Sequence, residues 1–134
     1  MPLHDLEMLI FAGQHTLDAL ALAPETELVR RHGSFAVDVQ QGDLTIEREV
    51  DRIYLQHSQP IHLSDGQRTL EICRSGSASV VLWNPWQDKA RKLDNFPADG
   101  YRTMLCIEAA NAAADTRTLQ PGEEQSLSCS IRQI

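Results

Sequence analysis

Tyr101-Arg102-Thr103-Met104-Leu105-Cys106-Ile107-Glu108-Ala109-Ala110 is the most apolar run in the chain. Its core is continuous rather than periodic, which suits a segment buried on both sides. Upstream, Ser79–Trp83 (SVVLW) has the same texture and reads as a buried strand. Residues 84–100 (NPWQDKARKLDNFPADG) separate the two runs and contain two prolines and a glycine. They form a long excursive loop, and loops of that length in compact domains are usually functional or mobile.

Working outward, short runs alternate with turn residues. Val50–Leu55 (VDRIYL) is β-branched and aromatic, with charges before it and Ser58-Gln59-Pro60 after it. Ser64-Asp65-Gly66 turns into Gln67–Arg74, which Gly76 ends, and Ala36–Val39 is a further strand before Gln41-Gly42-Asp43. In Gln125–Ile134 the residues alternate, with Leu127, Cys129 and Ile131 facing one way and Ser126, Ser128 and Ser130 the other. This pattern predicts a mostly β protein, an antiparallel β-sandwich or part of one. The first third differs. Leu3, Leu6, Leu9, Ile10, Leu17, Leu20 and Leu22 recur at roughly helical spacing, which predicts one or two short helices, and Glu27–Phe35 reads as a loop.

The chain has 134 residues, enough for one domain with a hydrophobic core, and its composition is 42% hydrophobic and 23% charged. A net charge of -7 disfavours binding to nucleic acid or anionic lipid and leaves a small anionic substrate open, since local arginines override a global field. Cys73, Cys106 and Cys129 are widely spaced, with no CxxC pair. The favoured reading is packed free thiols, with zinc or a disulfide as the alternatives. The N-terminus lacks a basic n-region and no apolar run approaches the ~18 residues of a membrane span, so a cytoplasmic protein without a membrane partner is expected. The five histidines (4, 15, 32, 57 and 62) show no HxH or HExxH spacing, and no metal site or cofactor is expected. His57 and His62 flank Pro60 and could approach each other.

Three residues stand out for chemistry. Glu108 lies among residues that would be buried, and a buried carboxylate must be hydrogen-bonded, paired or functional. Desolvation would raise its pKa toward that of a general base, but a solvent-facing glutamate at a strand end fits this segment equally well. Alternation puts Asp51 with Ile53 and Leu55 on one face, and Arg52 with Val50 and Tyr54 on the other. Taken alone, Asp51-Arg52 is more often a solvated pair. Trp86, in Asn84-Pro85-Trp86, could stack on the apolar face of a sugar ring or be a core tryptophan at a sheet edge.

In this order, VDRIYL, Val81-Leu82-Trp83-Asn84-Pro85-Trp86 and Phe96-Pro97-Ala98-Asp99-Gly100-Tyr101 through Glu108 resemble the C-terminal region of hexose-6-phosphate mutarotases (glucose-6-phosphate 1-epimerases) of the aldose 1-epimerase family. The resemblance implies part of a galactose mutarotase-like β-supersandwich over residues 36–134, after a divergent N-terminal segment, 1–35. It implies a cofactor-free interconversion of α and β anomers. A late glutamate takes the C1 hydroxyl proton, a histidine protonates the ring oxygen, the ring opens, and it recloses on the other face. Carried over by motif, Glu108 is the general base and Asp51 binds sugar hydroxyls; Trp86, from its place just past a strand, is expected as a further substrate contact. Family members are about twice as long, although an all-β domain can run to ~250 residues. The missing part would hold the catalytic histidine and most phosphate-binding arginines. The chain is thus expected to be a truncated mutarotase acting on a hexose 6-phosphate, or a non-catalytic sugar-binding or assembly module. Open sheet edges predict a homo-oligomer or association with a missing N-terminal half.

Overall fold

A computed structural model of the chain describes residues 42–134 in full, together with Gln40 and the backbone of the strands before it. In chain order the strands are β1 (Leu9–Phe11), β2 (Ala19–Ala21), β3 (Thr26–Arg30), β4 (Val37–Gln40), β5 (Val50–Tyr54), β6 (Ile61–Ser64), β7 (Thr69–Ser75), β8 (Ser79–Asn84), β9 (Met104–Ala110) and β10 (Ser128–Gln133). One short helix, α1 (Trp86–Ala90), follows β8.

The strands form two antiparallel sheets. The larger has the order β1-β9-β8-β5-β3-β4 and the smaller β10-β7-β6-β2. Residues 50–134 supply a three-stranded portion of each, β9-β8-β5 and β10-β7-β6, which the strands of the first forty residues extend. Alternation decides what lies between them. Val50, Tyr54, Val80, Leu82, Leu105 and Ile107 of the larger sheet pack with Ile61, Leu63 and Ile72 of the smaller one. The opposite face of the larger sheet is also buried, by Ile53, Leu55, Val81 and Ala110. This is why β8 and β9 are apolar on both faces apart from Glu108 and the polar ends of β8, and why the two faces expected for β5 separate as they do.

The helical spacing of the first third does not produce helices where the backbone is described. Leu9–Phe11 pairs with β9, Ala19–Ala21 with β6, and Thr26–Arg30 lies between β4 and β5. A buried sheet edge has unpaired backbone groups to satisfy, and that demand outweighs a loose side-chain period. Leu3, Leu6, Leu17 and Leu22 fall outside the described residues, as do His4, His15 and His32. The segment 84–100 leaves the sheet as expected, but it contains α1 and leads into a 3-10 turn at Gly100–Thr103.

Two features fix the end of β7 in place. Gly76 has φ +80, and a Cβ there would lie 2.0 Å from the carbonyl oxygen of Ser126, so only glycine lets the C-terminal segment approach β7. Arg74 is buried and donates to the carbonyls of Ser79 (3.0 Å) and His57 (2.9 Å), and its Nη2 lies 2.9 Å from His57 Nδ1. A guanidinium only donates, so Nδ1 accepts and the imidazole is neutral. His57 therefore serves Arg74 inside the fold, while His62 pairs with Glu71 at 2.9 Å across the smaller sheet. All three cysteines are free thiols, Cys106 buried and the other two half-buried.

Gly76→Ala should lower stability by more than the ~1–3 kcal/mol typical of a strained backbone, because the contact with Ser126 adds to the left-handed φ. Urea unfolding reads it. Burial first, and then the Arg74 cation, hold the His57 pKa below its ordinary value. The unfolded chain then takes up the proton first, so stability is full above about pH 6.5 and falls as pH drops toward the depressed folded value. The urea midpoint should decline from pH 7.5 to 5.5, and His57→Gln, which keeps an acceptor for Arg74, should flatten that decline.

Candidate active site

The register of β5, β8 and β9 sets the candidate residues on one surface. Ile53, Val81 and Glu108 form one cross-strand row, and Asp51, Trp83 and Cys106 form the next. Side chains opposite one another in an antiparallel ladder share a face. Glu108 and Asp51 therefore both lie on the face of the larger sheet turned away from the smaller one. Strand spacing and rise place their Cα atoms roughly 12 Å apart. That is too far for a direct hydrogen bond and suits two groups that meet a small molecule from different sides. Trp83, half-buried, stands opposite Asp51 and diagonal to Glu108. Glu108 is only 7% exposed, which removes the reading of a solvent-facing strand end.

Strand β9 is fixed at both ends by polar residues of β8. At one end Ser79 Oγ donates to the Ala110 carbonyl (2.7 Å) and accepts from the Ala112 N–H (2.9 Å). Beside it, Asn111 Nδ2 donates to the Gly76 carbonyl (3.0 Å) and to Asp115 Oδ2 (3.0 Å), which also accepts from the Ala78 N–H (2.9 Å). Burial pushes the Asp115 pKa up, but the hydrogen bonds from Asn111, Arg117 and Ala78 prevail and hold it below the ordinary value. At the other end Asn84, fully buried, donates from Nδ2 to the carbonyls of Tyr101 and Met104, both at 2.9 Å. Its Oδ1 accepts from the Trp86 N–H at 2.8 Å.

Asn84 thus closes the loop that links β8 to β9. Trp86 takes φ 57 as the chain turns into α1. Its indole meets the Tyr101 ring edge-on at 4.8 Å and packs on the cluster between the sheets. Lys89 of α1 forms an ion pair with Glu49, just ahead of β5. The structure therefore brings Glu108 and Asp51 to one face and sets Trp86 against the core of the other. The indole that shares the Glu108 face is Trp83. Among the described residues, no group of three His, Cys, Asp or Glu side chains is placed to hold a metal ion. The clasping roles of Asn84, Ser79, Asn111 and Asp115 are absent from the sequence reading. An asparagine directly after an apolar strand and before a proline is the signal that could have exposed the first of them.

The profile of the aldose 1-epimerase family matches residues 3–132. The chain belongs to the aldose 1-epimerase family. Curated relatives include the "Putative glucose-6-phosphate 1-epimerase" of Cenchrus ciliaris, 39% identical over 88 residues that make up 63% of this chain and 26% of that protein. A protein of the same name from Salmonella typhimurium is 32% identical over 75 residues, 54% of this chain and 26% of its own. The matched stretches of this family member thus span about a quarter of the length of these curated relatives. Its fold is that of a crystal structure described as a putative mutarotase (YeaD) from Salmonella typhimurium. The TM-score is 0.83 at 20% identity, over 98% of this chain and 46% of that one.

Asn84→Ala should leave the Tyr101 and Met104 carbonyls without their side-chain donor. We expect a loss of at least ~1–3 kcal/mol in urea unfolding and faster proteolysis within 85–100. Asn84→Asp, which replaces the donor by an acceptor facing two carbonyls, should be no better than alanine.

Proposed function

We propose that this aldose 1-epimerase family member carries the base-bearing part of a mutarotase acting on a hexose 6-phosphate, with Glu108 as the general base. The observation that carries the reading is the placement of a buried glutamate on a doubly clamped strand. It shares one sheet face with Asp51 and Trp83. A base gains from such a setting because its carboxylate is held still and poorly hydrated. In the reaction Glu108 takes the proton of the C1 hydroxyl as an acid protonates the ring oxygen. The C1–ring oxygen bond breaks, C1 becomes an aldehyde carbon, and rotation about C1–C2 presents its other face. Return of both protons closes the ring as the second anomer. Asp51 accepts hydrogen bonds from sugar hydroxyls, and the Trp83 indole offers a flat apolar surface to the ring.

Exchange between the anomers of glucose 6-phosphate, followed by NMR, tests this. Glu108→Gln should remove any exchange above the uncatalysed rate while the folded signature in circular dichroism persists. Asp51→Asn should weaken sugar binding more than it slows exchange at saturation. A positioned acid or base each contributes typically ~10²–10⁴-fold, so a chain supplying only the base should be slow until an acid is provided. Equal exchange by wild type and Glu108→Gln would remove the assignment. Sugar binding that Asp51→Asn abolishes, with no exchange in any form, would point instead to a carbohydrate-binding module.

A further inference from the structure

Among the described residues, the last strand leaves both a row of backbone groups and the end of the core uncovered. β10 is, among the described residues, the outermost strand of the smaller sheet and pairs only with β7, in unbroken register from Ser128 to Gln133. The Ile134 N–H donates to the Thr69 carbonyl at 3.0 Å. Alternate residues of an antiparallel strand turn both backbone groups to the same neighbour. Ser128, Ser130 and Arg132 therefore address β7, whereas Cys129, Ile131 and Gln133 turn theirs outward. The side chains tell the same story. Ile61, Ile72 and Ile131 form one cross-strand row on the inner face. The first two are fully buried, but Ile131 is 42% exposed and the neighbouring Ile134 59%.

We propose that this edge is a two-fold interface, at which β10 of one chain pairs antiparallel with β10 of a second copy. The pattern of β10 fits itself. With Ile131 opposite its own counterpart, Cys129 faces Gln133, Ser130 faces Arg132 and Ser128 faces Ile134, so no like charges oppose one another. The outward groups of Cys129, Ile131 and Gln133 then make about six backbone hydrogen bonds. The isoleucine row becomes continuous across both copies, and the two smaller sheets join into one. The other sheet edges are poorer candidates. β1 and β2 have three residues each and β4 four, against six in β10. Pairing β10 with a different edge would run on without closing, whereas β10 with β10 closes by symmetry. Edge strands that avoid partners carry prolines, bulges or free charges. β10 has no proline or bulge, and its only charge, Arg132, is engaged by Glu71 at 2.6 Å.

The test stands apart from any sugar chemistry. Light scattering on the full chain should give twice the 15.0 kDa chain mass. Ile131→Lys puts like charges face to face and should return the mass to that of one chain. Gln133→Pro removes one outward N–H that the monomer does not use, and should do the same with the circular dichroism of the fold retained. Paired residues at a hydrogen-bonded position lie ~5.5 Å apart at Cα, within disulfide range. Ile131→Cys, oxidised, should therefore cross-link as a dimer where the wild-type chain does not. A wild-type monomer at 100 µM (about 1.5 mg/ml), a dimer that survives both disrupting substitutions, or failure of Ile131→Cys to cross-link would each overturn the interface.

Discussion

Burial of β8 on both faces is the constraint from which the described part of the molecule follows. A strand covered on both sides cannot satisfy stray polar groups with water, so its backbone must be fully paired and its ends resolved by side chains. Ser79 and Asn84, both fully buried, stand at those ends. Each reaches across to β9 rather than along its own strand. The result is that β9 is held at its first and last turns of backbone, with its middle fixed by the ladder to β8. Glu108 inherits its position from these two polar residues on the neighbouring strand.

That arrangement also explains how a carboxylate is tolerated in an apolar strand. The six other residues of β9 are buried, and three of them, Leu105, Ile107 and Ala109, alternate away from Glu108. Leu105 and Ile107 fill the space between the sheets. Much of the packing of β9 is thus carried by the face that Glu108 does not occupy. The other face is left to place a carboxylate among small or sulfur-bearing neighbours, Met104, Cys106 and Ala110. Structure and chemistry are divided between the two sides of one strand. A substitution at Glu108 therefore tests function with less disturbance of the core than one at Ile107.

The legibility of the sequence tracks this division. Segments whose side chains settle their own fate were readable: the continuous runs of β8 and β9, the two faces of β5, and the serine alternation of β10. Strand β6 was not recognised, because Ile61–Ser64 is four residues between Pro60 and the Asp65 turn, too short to display a period. Strand β3 looks like a loop in the sequence for a different reason. Its pairing with β4 and β5 is non-local, and Glu27 and Arg30 make it look solvent-facing. Of the candidate site, the motif resemblance singled out Glu108 and Asp51, and alternation accounts for the face they share. For Trp86 the sequence leaves a sugar-stacking and a core role open, and the positive φ immediately after Pro85 turns it toward the core.

The geometry further constrains how the proposed reaction would have to be completed. A sheet face presents its groups from one side, and anomer exchange needs a base at the C1 hydroxyl and an acid at the ring oxygen in the same encounter. The described histidines are otherwise committed. His57 accepts from Arg74 and is held neutral by burial and by that cation, and His62 pairs with Glu71 on the smaller sheet. Recruiting His57 as an acid would mean protonating a ring nitrogen that already faces a guanidinium, the state its surroundings oppose most. Recruiting His62 would require a group from the other sheet to cross the core. On the proposed reading, then, the acid approaches Glu108 from outside the β5-β8-β9 ladder and overhangs the sheet face. The ladder's own contribution is to hold the base and the sugar's hydroxyl acceptor at a fixed separation.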